Sequence, residues 1–409
     1  MASFLRRSLG RVIGGVAPIH FPTSGFELVS SAVVLEEEMF SDYSMGRYYP
    51  ANIGEVLASR YQLVGKLGFG VTSTVWLARD LRTYKHVALK IFTRDESNED
   101  EFAMYQYLRT CSGSHPGIRH VRTALDVFSI PRDGGAHRCI VQKPLWESFR
   151  ALLARNPSHR FTEDLLKAGL RSILLALDYL HTVCRVIHTD IKADNILQDV
   201  EDEKIFDDFV TAELQNPSPR KFIDGSPIYM SRQLNLPRIF GIPILGDFGA
   251  AVHGDIEHTE NAQPLVYRSP EVMLKMPWSY PVDIWNLGCM IWDIFEDKHL
   301  FHGIEPTDWD PNGNGYTTRA HIAELVAVLG PPPVEFLKRG KRSGDFFAEE
   351  GKWNVAIDIP ADMTLEDSEE NLEGGNKDDF LAFMRSMLQW RPEDRKTAKE
   401  LLDHPWLNN

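Results

Sequence analysis

The chain has 409 residues, 43% of them hydrophobic, enough apolar material for one large domain or two coupled lobes. A formal net charge of −14 disfavours direct nucleic-acid binding and suits a basic partner. Cys111, Cys139, Cys184 and Cys289 lie far apart without metal-ligand spacing, which argues against a disulfide framework and a zinc site, and no apolar run approaches the length of a membrane span.

In chain order, residues 1–26 carry Arg6, Arg7 and Arg11 and no acidic residue, a composition common to mitochondrial targeting segments and disordered basic tails. Both readings stay open. Residues 1–46 as a whole read as a basic then acidic tail containing the patch Glu36-Glu37-Glu38, and 47–60 as a lead-in. From Tyr61 the pattern turns to strands: "YQLVGKLGFGVTSTVWLARD" alternates around a glycine turn and "HVALKIF" follows. "EDEFAMYQYLRT" switches to helical spacing with Phe102, Tyr105 and Leu108 on one face, and "RCIVQKPL" gives a further strand. Beyond it helices dominate, among them "EDLLKAGLRSILLALDYLHTV", "VDIWNLGCMIWDIF" and "DDFLAFMRSMLQ". Two stretches read as loops: 198–243, with "EDEKIFDDF" and several prolines, and the acidic 361–379. A β-rich first part followed by a helical second part predicts an α+β fold of two lobes with a cleft between them.

The residues that carry chemistry fall in a fixed order. "LGFGVTSTV", residues 67–75, has glycines at Gly68 and Gly70 and Ser73 where a third would stand; such a turn lets backbone N–H groups approach phosphates. Lys90 in "VALK" sits on a strand and could reach phosphate oxygens if a carboxylate fixed it. Glu101 is the expected partner because it opens the apolar helical stripe; Glu99 is the alternative. In "VIHTDIKADNIL", Asp190 is placed to orient a hydroxyl and accept its proton. Lys192 offers a cation near a migrating phosphoryl group, and Asn195 a neutral oxygen for Mg²⁺. "ILGDFGAAV" then supplies Asp247 as the carboxylate ligand, so the metal set is Asn195 and Asp247.

These motifs resemble the eukaryotic protein kinase family over nearly all of residues 61–407. "YRSPEVML" is similar to its Ala-Pro-Glu element with Ser269 in place of Ala, and "WRPEDRKTAKELLDHPWL" to its closing segment. The resemblance implies an ATP-dependent protein kinase with a β-rich amino-terminal lobe over about 61–143. A larger helical lobe would cover about 144–407, with an insertion at about 198–243. It implies that Leu67, Gly68, Phe69, Gly70, Val71, Thr72, Ser73, Thr74, Val75, Ala88, Lys90, Glu101 and Asp247 line the nucleotide site. Lys143 and Leu145 would serve the adenine through the hinge; Pro144 has no N–H, so Leu145 is the expected donor. Asp283 should hold the catalytic-loop backbone, and Arg395 should pair with Glu271.

"YYPANIGEVLASRYQLVGKLGFGVTSTVWLARD", the Thr189 of "HTDIKADNIL" and the insertion resemble the SR-protein kinases, most of all the fungal branch. That branch implies serine in arginine/serine-rich, splicing-type proteins as substrate, a monomer, no direct nucleic-acid contact, no membrane, and a cytoplasmic and nuclear location. In kinases switched on by phosphorylation, an arginine before the catalytic aspartate pairs with a phosphate on the activation segment. Thr189 cannot do so, which implies a segment that stands without phosphate. Pro264, Leu265 and Val266 make the acceptor pocket more apolar than an arginine–serine specialist would predict, so a kinase for a different basic protein is the alternative. A catalytically weak scaffold is a second alternative, resting on Ser73, Thr189 and the altered acceptor pocket. Glu296, Asp297 and 361–379 are candidate docking acids.

Overall fold

A computed structural model describes residues 17–41, 43, 46–94, 99–111, 113–305 and 315–409. The arginine-rich start falls largely in residues 1–16, outside the described residues. Two compact units emerge: Met1–Phe102 with Ala124–Leu145 and Val200–Ile239, and Ala103–Thr123 with Trp146–Asp199 and Phe240–Asn409.

The first unit is built on a six-stranded antiparallel sheet. Its strands are β1 (Val56–Leu57), β2 (Tyr61–Gly70), β3 (Ser73–Asp80), β4 (His86–Phe92), β5 (Ala124–Arg132) and β6 (Gly135–Gln142), in the order β1-β2-β3-β4-β6-β5. Alternation along β2, β3, β4 and β6 sends Tyr61, Leu63, Trp76, Ala78, Val87, Leu89, Ile91, Cys139 and Val141 to one core. Tyr49, Ala51 and Leu57 of the lead-in and Tyr229 join the same core.

The stretch read as a loop over 198–243 is largely regular. Lys204–Gln215 is a helix that buries Ile205, Phe206, Phe209 and Val210, spaced as one helical face. It lies so close to β2 that a Cβ on Gly65 would come within 2.7 Å of Phe209 Cε1. Arg220–Ile223 and Ser226–Tyr229 then form a hairpin around Asp224 and Gly225, both at positive φ, the Asp-Gly signature of a tight hairpin turn. The acidic composition of "EDEKIFDDF" hid the helical period.

The tail reading of 1–46 also needs correction in its described part. Ile19 exchanges hydrogen bonds with the Gln62 side chain at 2.7 and 2.8 Å, and Arg220 lies over the ring of Phe26. Glu36–Met39 is a 3₁₀ turn in which Glu37 is buried. The acidic patch is therefore no solvated face: Glu36 and Glu37 pair with the fully buried Lys66 and Glu38 with Lys221. A buried ammonium is tolerated only when carboxylates or carbonyls meet it.

The second unit is helical. Glu163–Tyr179 runs into a π-type turn at Leu180–Cys184 that ends at Arg185 in the left-handed region. Pro281–Glu296 is buried along nearly its whole length, Asp283 and Asn286 included. A short ladder joins Val186–Ile187 to Val252–His253, and another joins Ile196–Val200 to Phe240–Leu245. These ladders flank the two polar loops at 188–195 and 246–251. Among the described residues, no helix is long and apolar enough to cross a membrane.

Candidate active site

In the first unit, β2 and β3 meet in a two-residue turn with Gly70 opposite Ser73. Neither Gly68 nor Gly70 has positive φ, and an added Cβ at either would meet no heavy atom within 4 Å. Neither backbone conformation nor internal packing requires glycine at these two places. What glycine leaves there is open space beside the backbone, which fits a phosphate-bearing ligand. Ser73 lies in a strand, is buried, and has no unusual φ, so this position needs no glycine.

Lys90 sits in β4 opposite Val75 and Ile140, and its ammonium forms an ion pair with Glu101. Glu101 is 5% exposed. Glu99, the alternative partner, pairs instead with Arg138 at the surface. Ala88 is buried opposite Leu77 and Gln142 in the same sheet. Lys143 is exposed and Leu145 buried at the end of this unit.

In the second unit Asp190, Lys192 and Asn195 come together. Asp190 Oδ2 accepts from Lys192 Nζ at 2.7 Å and from Asn195 Nδ2 at 2.9 Å, and Asn195 Nδ2 also donates to the Asp190 carbonyl at 2.8 Å. With its amide nitrogen so engaged, Asn195 presents its oxygen as a ligand atom. The carbonyl of Asn195 accepts the Gly246 N–H at 2.9 Å, which ties this loop to Asp247. Asp247 is exposed with φ 61°, a conformation that a short polar side chain tolerates. The buried ring of Phe248 beside it packs against His188 and Tyr105.

The backbone of the loop is held from below. The fully buried Asp283 accepts the N–H of His188 at 2.8 Å and of Thr189 at 2.7 Å, and its Oδ2 also meets His181 Nε2 at 2.8 Å. His188 Nδ1 takes the Asp190 N–H at 3.3 Å, so Nε2 is the protonated nitrogen that donates to the Gly246 carbonyl at 3.0 Å. Thr189 has φ 64°, uncommon for a β-branched residue. That conformation sets its hydroxyl to donate to the Ala250 carbonyl at 2.8 Å. The residue where an arginine would answer a phosphate thus bonds the following segment directly.

Further braces hold that segment, the expected Arg395–Glu271 pair among them. His258 stacks on Trp278 with ring centres 4.6 Å apart and lies 2.8 Å from the His253 carbonyl and 2.7 Å from Glu260. Trp278 Nε1 donates to the Glu260 carbonyl at 3.0 Å. Gln263 Oε1 accepts both the N–H and the hydroxyl of Ser269 at 2.9 Å, while Arg268 Nε donates to the Ala262 carbonyl at 3.1 Å. Arg395 clasps Glu271 through two 2.7 Å bonds, both side chains being almost fully buried. Asp190, Thr189, Glu260, Gln263, Arg268 and Trp278 border a pocket of about 400 Å³. Burial works to raise the Glu260 pKa, but the N–H groups of Glu260 and Thr259 and the His258 ring together hold it below the ordinary value. A fixed negative charge therefore stands at the rim.

The proposed docking acids behave differently. Glu296 is buried and its pKa is raised by burial, so it faces no partner. Within 361–379, Glu366 pairs with Arg385, Glu369 with Lys377 and Glu370 with Lys298. Three of the eight acidic residues of that run are thus matched by the chain itself.

The protein kinase domain family matches residues 61–234 and 243–407, which include Lys90, Glu101, Asp190, Lys192, Asn195, Asp247, Glu271, Asp283 and Arg395. The chain belongs to the protein kinase family. This kinase is 43% identical over 389 residues to a serine/threonine protein kinase of Aspergillus fumigatus, covering 94% of both chains. It is 31% identical to the serine/threonine-protein kinase SRPK of Physarum polycephalum, over 91% of each. It is 24% identical to human SRSF protein kinase 3, covering 91% of this chain and 90% of the other. A kinase domain solved by crystallography superposes with a TM-score of 0.67 at 22% identity, over 88% of this chain and 99% of the other, and shares its fold. This kinase is a serine/threonine protein kinase of SRPK-like type, with a β-rich amino-terminal region and a helical carboxy-terminal part. ATP and a divalent metal follow from the family.

Proposed function

We propose that this kinase moves the γ-phosphoryl group of Mg-ATP to serine in arginine/serine-rich proteins, with no phosphate on its own activation segment. The observation that carries the reading is the Thr189–Ala250 bond over the Asp283 clamp. It supplies from a hydroxyl the order that a phosphate–arginine pair supplies elsewhere.

The donor set suits the metal: the Asp247 carboxylate and the Asn195 amide oxygen are the hard oxygen donors that would hold Mg²⁺. Bound Mg-ATP supplies the transferable group and neutralises charge on it. The chain's own residues do the rest. Lys90, held by Glu101, is placed to meet phosphate oxygens. Asp190, oriented by Asn195 and Lys192, receives the acceptor hydroxyl and takes its proton. Lys192, which donates to that carboxylate, adds positive charge where the phosphoryl group moves.

For the substrate, the relatives named for SRPK and SRSF kinases and the ionised Glu260 on the acceptor pocket favour a basic peptide. Leu265, nearly half exposed in the stretch expected to flank the acceptor serine, makes a basic substrate with an apolar neighbour the second reading. By family resemblance the kinase acts as a monomer in cytoplasm and nucleus. The deciding experiment compares kcat/KM on an Arg-Ser repeat peptide, a Lys-Ser repeat and a basic peptide with an apolar residue after serine. The proposal expects the Arg-Ser peptide to lead by about tenfold, and Glu260→Gln to shrink that lead by roughly threefold, the scale of an exposed charge pair. Equal rates on Arg-Ser and Lys-Ser would remove the arginine–serine assignment and leave the kinase.

A further inference from the structure

The family match begins at residue 61, yet the glycine hairpin of β2 and β3 is gripped by residues that precede it. Tyr48, itself buried, donates its hydroxyl to the carbonyls of Gly70 at 3.0 Å and Val71 at 2.7 Å, at the very tip of the hairpin. The ring of Tyr48 stacks on Tyr43, centres 5.8 Å apart, and Phe40 packs on Phe69, the residue between the two glycines, at 6.0 Å. At the hairpin's base the buried Lys66 is met by Glu36 at 2.7 Å and by Glu37, and it donates to the Tyr229 carbonyl at 3.2 Å. The insertion closes the ring: Glu36 accepts from Ser231 N and Oγ at 2.5 and 2.9 Å, and the Arg232 N–H donates to the Lys66 carbonyl at 2.9 Å.

A turn carrying glycines at Gly68 and Gly70 is otherwise loose, and a loose phosphate cover lowers affinity by the fraction of time it spends out of place. Carbonyls engaged by Tyr48 also leave the hairpin's N–H groups as the side available to an anion. We infer that Glu36, Glu37, Phe40, Tyr43 and Tyr48, with 229–232, form a built-in brace that presets the glycine hairpin for nucleotide, and that Tyr48 is its positioning residue. The inference rests on the reading of this hairpin as the nucleotide cover.

The test uses the full chain. Tyr48→Phe keeps the ring and its stacking on Tyr43 and removes only the hydroxyl. Phe40→Leu loosens the Phe69 contact by a separate route, in case the first variant folds poorly. Gly70→Ala alters the cover itself, where the protein has room for a methyl group. The expected result is a three- to tenfold rise in both KM and Kd for Mg-ATP in Tyr48→Phe, with KM for the peptide unchanged and faster amide exchange confined to residues 68–74. An equal fall of kcat and thermal stability with no selective change in the ATP constants would show a merely structural tyrosine and overturn the inference. If Gly70→Ala weakens ATP while Tyr48→Phe and Phe40→Leu do not, the brace is wrong and the cover stands. If Gly70→Ala leaves ATP binding untouched, the reading of the cover falls, and the brace with it.

Discussion

At the scale of single residues, Thr189 does two jobs that the sequence hints at only as an absence. The missing arginine was legible, and the proposal that no phosphate need be answered follows from it. The hydroxyl bond to Ala250 was not, because a left-handed backbone at a threonine is set by tertiary contacts, here the Asp283 carboxylate under two successive N–H groups. Removing the hydroxyl while keeping the branched shape leaves the Ala250 carbonyl without its donor, at a cost of about 1–2 kcal/mol. Thr189→Val is therefore expected to lower kcat/KM about tenfold in protein free of activation-segment phosphate, whereas Thr189→Ser stays within about twofold. Steady-state kinetics on both variants check this, and a valine variant as active as the serine one contradicts it. Lys90, Asp190 and Asn195 were legible for another reason: their chemistry dictates residue type and spacing, and tertiary structure only had to bring them the expected partners.

Elements show where sequence reading gave out. The helix Lys204–Gln215 carries its apolar stripe among Asp202, Glu203, Asp207 and Asp208, so composition pointed to a loop while periodicity pointed to a helix. Glu36–Met39 misled similarly, since the cations that bury its charges come from residues 66 and 221. Another element carries a titration. In the helix Thr318–Leu329, Glu324 is buried and accepts the N–H groups of His302 and Gly303 at 2.8 and 2.9 Å. Burial pushes its pKa up to about 7, and the two N–H bonds offset only part of that rise. The unfolded chain loses this proton near pH 4.5 while the folded chain keeps it. Glu324 therefore contributes stability below pH 4.5 that disappears as pH climbs to 7, about 3 kcal/mol in all. His321, one turn earlier, is depressed to about 3 by burial and by the charge of Arg268. Its contribution runs the other way, present above pH 6.5 and lost on acidification. Denaturant unfolding of wild type against Glu324→Gln separates the two. The difference in stability should fall by about 2–3 kcal/mol, in wild type relative to the variant, between pH 4.5 and 7. Parallel pH profiles would contradict the assignment.

At the scale of the whole molecule, distant parts of the chain meet in pairs that neither could hold alone. Arg395 and Glu271 are separated by 124 positions and are both nearly fully buried. Family resemblance made that pair legible; composition and periodicity could not, because nothing local distinguishes a clasping arginine from a solvated one. Arg395→Met strands the Glu271 carboxylate, and the expected loss is about 3–5 kcal/mol. Adding Glu271→Met should return most of it. Unfolding measurements on the single and double variants check the coupling, and a harmless single change would show that the pair contributes little. The β-rich and helical parts were likewise visible from the switch between period-two and helical spacing. The membership of 17–60 and 200–239 in the first unit was not, since it depends on Tyr49, Leu57 and Tyr229 filling one face of the sheet.

The kinase is proposed to act with its activation segment free of phosphate. Between Gly249 and Pro270 the hydroxyl residues are Thr259, Tyr267 and Ser269. Ser269 is fully buried, and Tyr267, also buried, bonds Asp293, which leaves Thr259 as the reachable acceptor. The most direct measurement is the initial rate of phosphoryl transfer from Mg-ATP to an Arg-Ser peptide before and after phosphatase treatment. Mass spectrometry would verify the three hydroxyls as unmodified, and Asp190→Asn would serve as the inactive control. The same rate is expected in both samples. A rate that collapses on dephosphorylation and returns when Thr259 is phosphorylated again would contradict it.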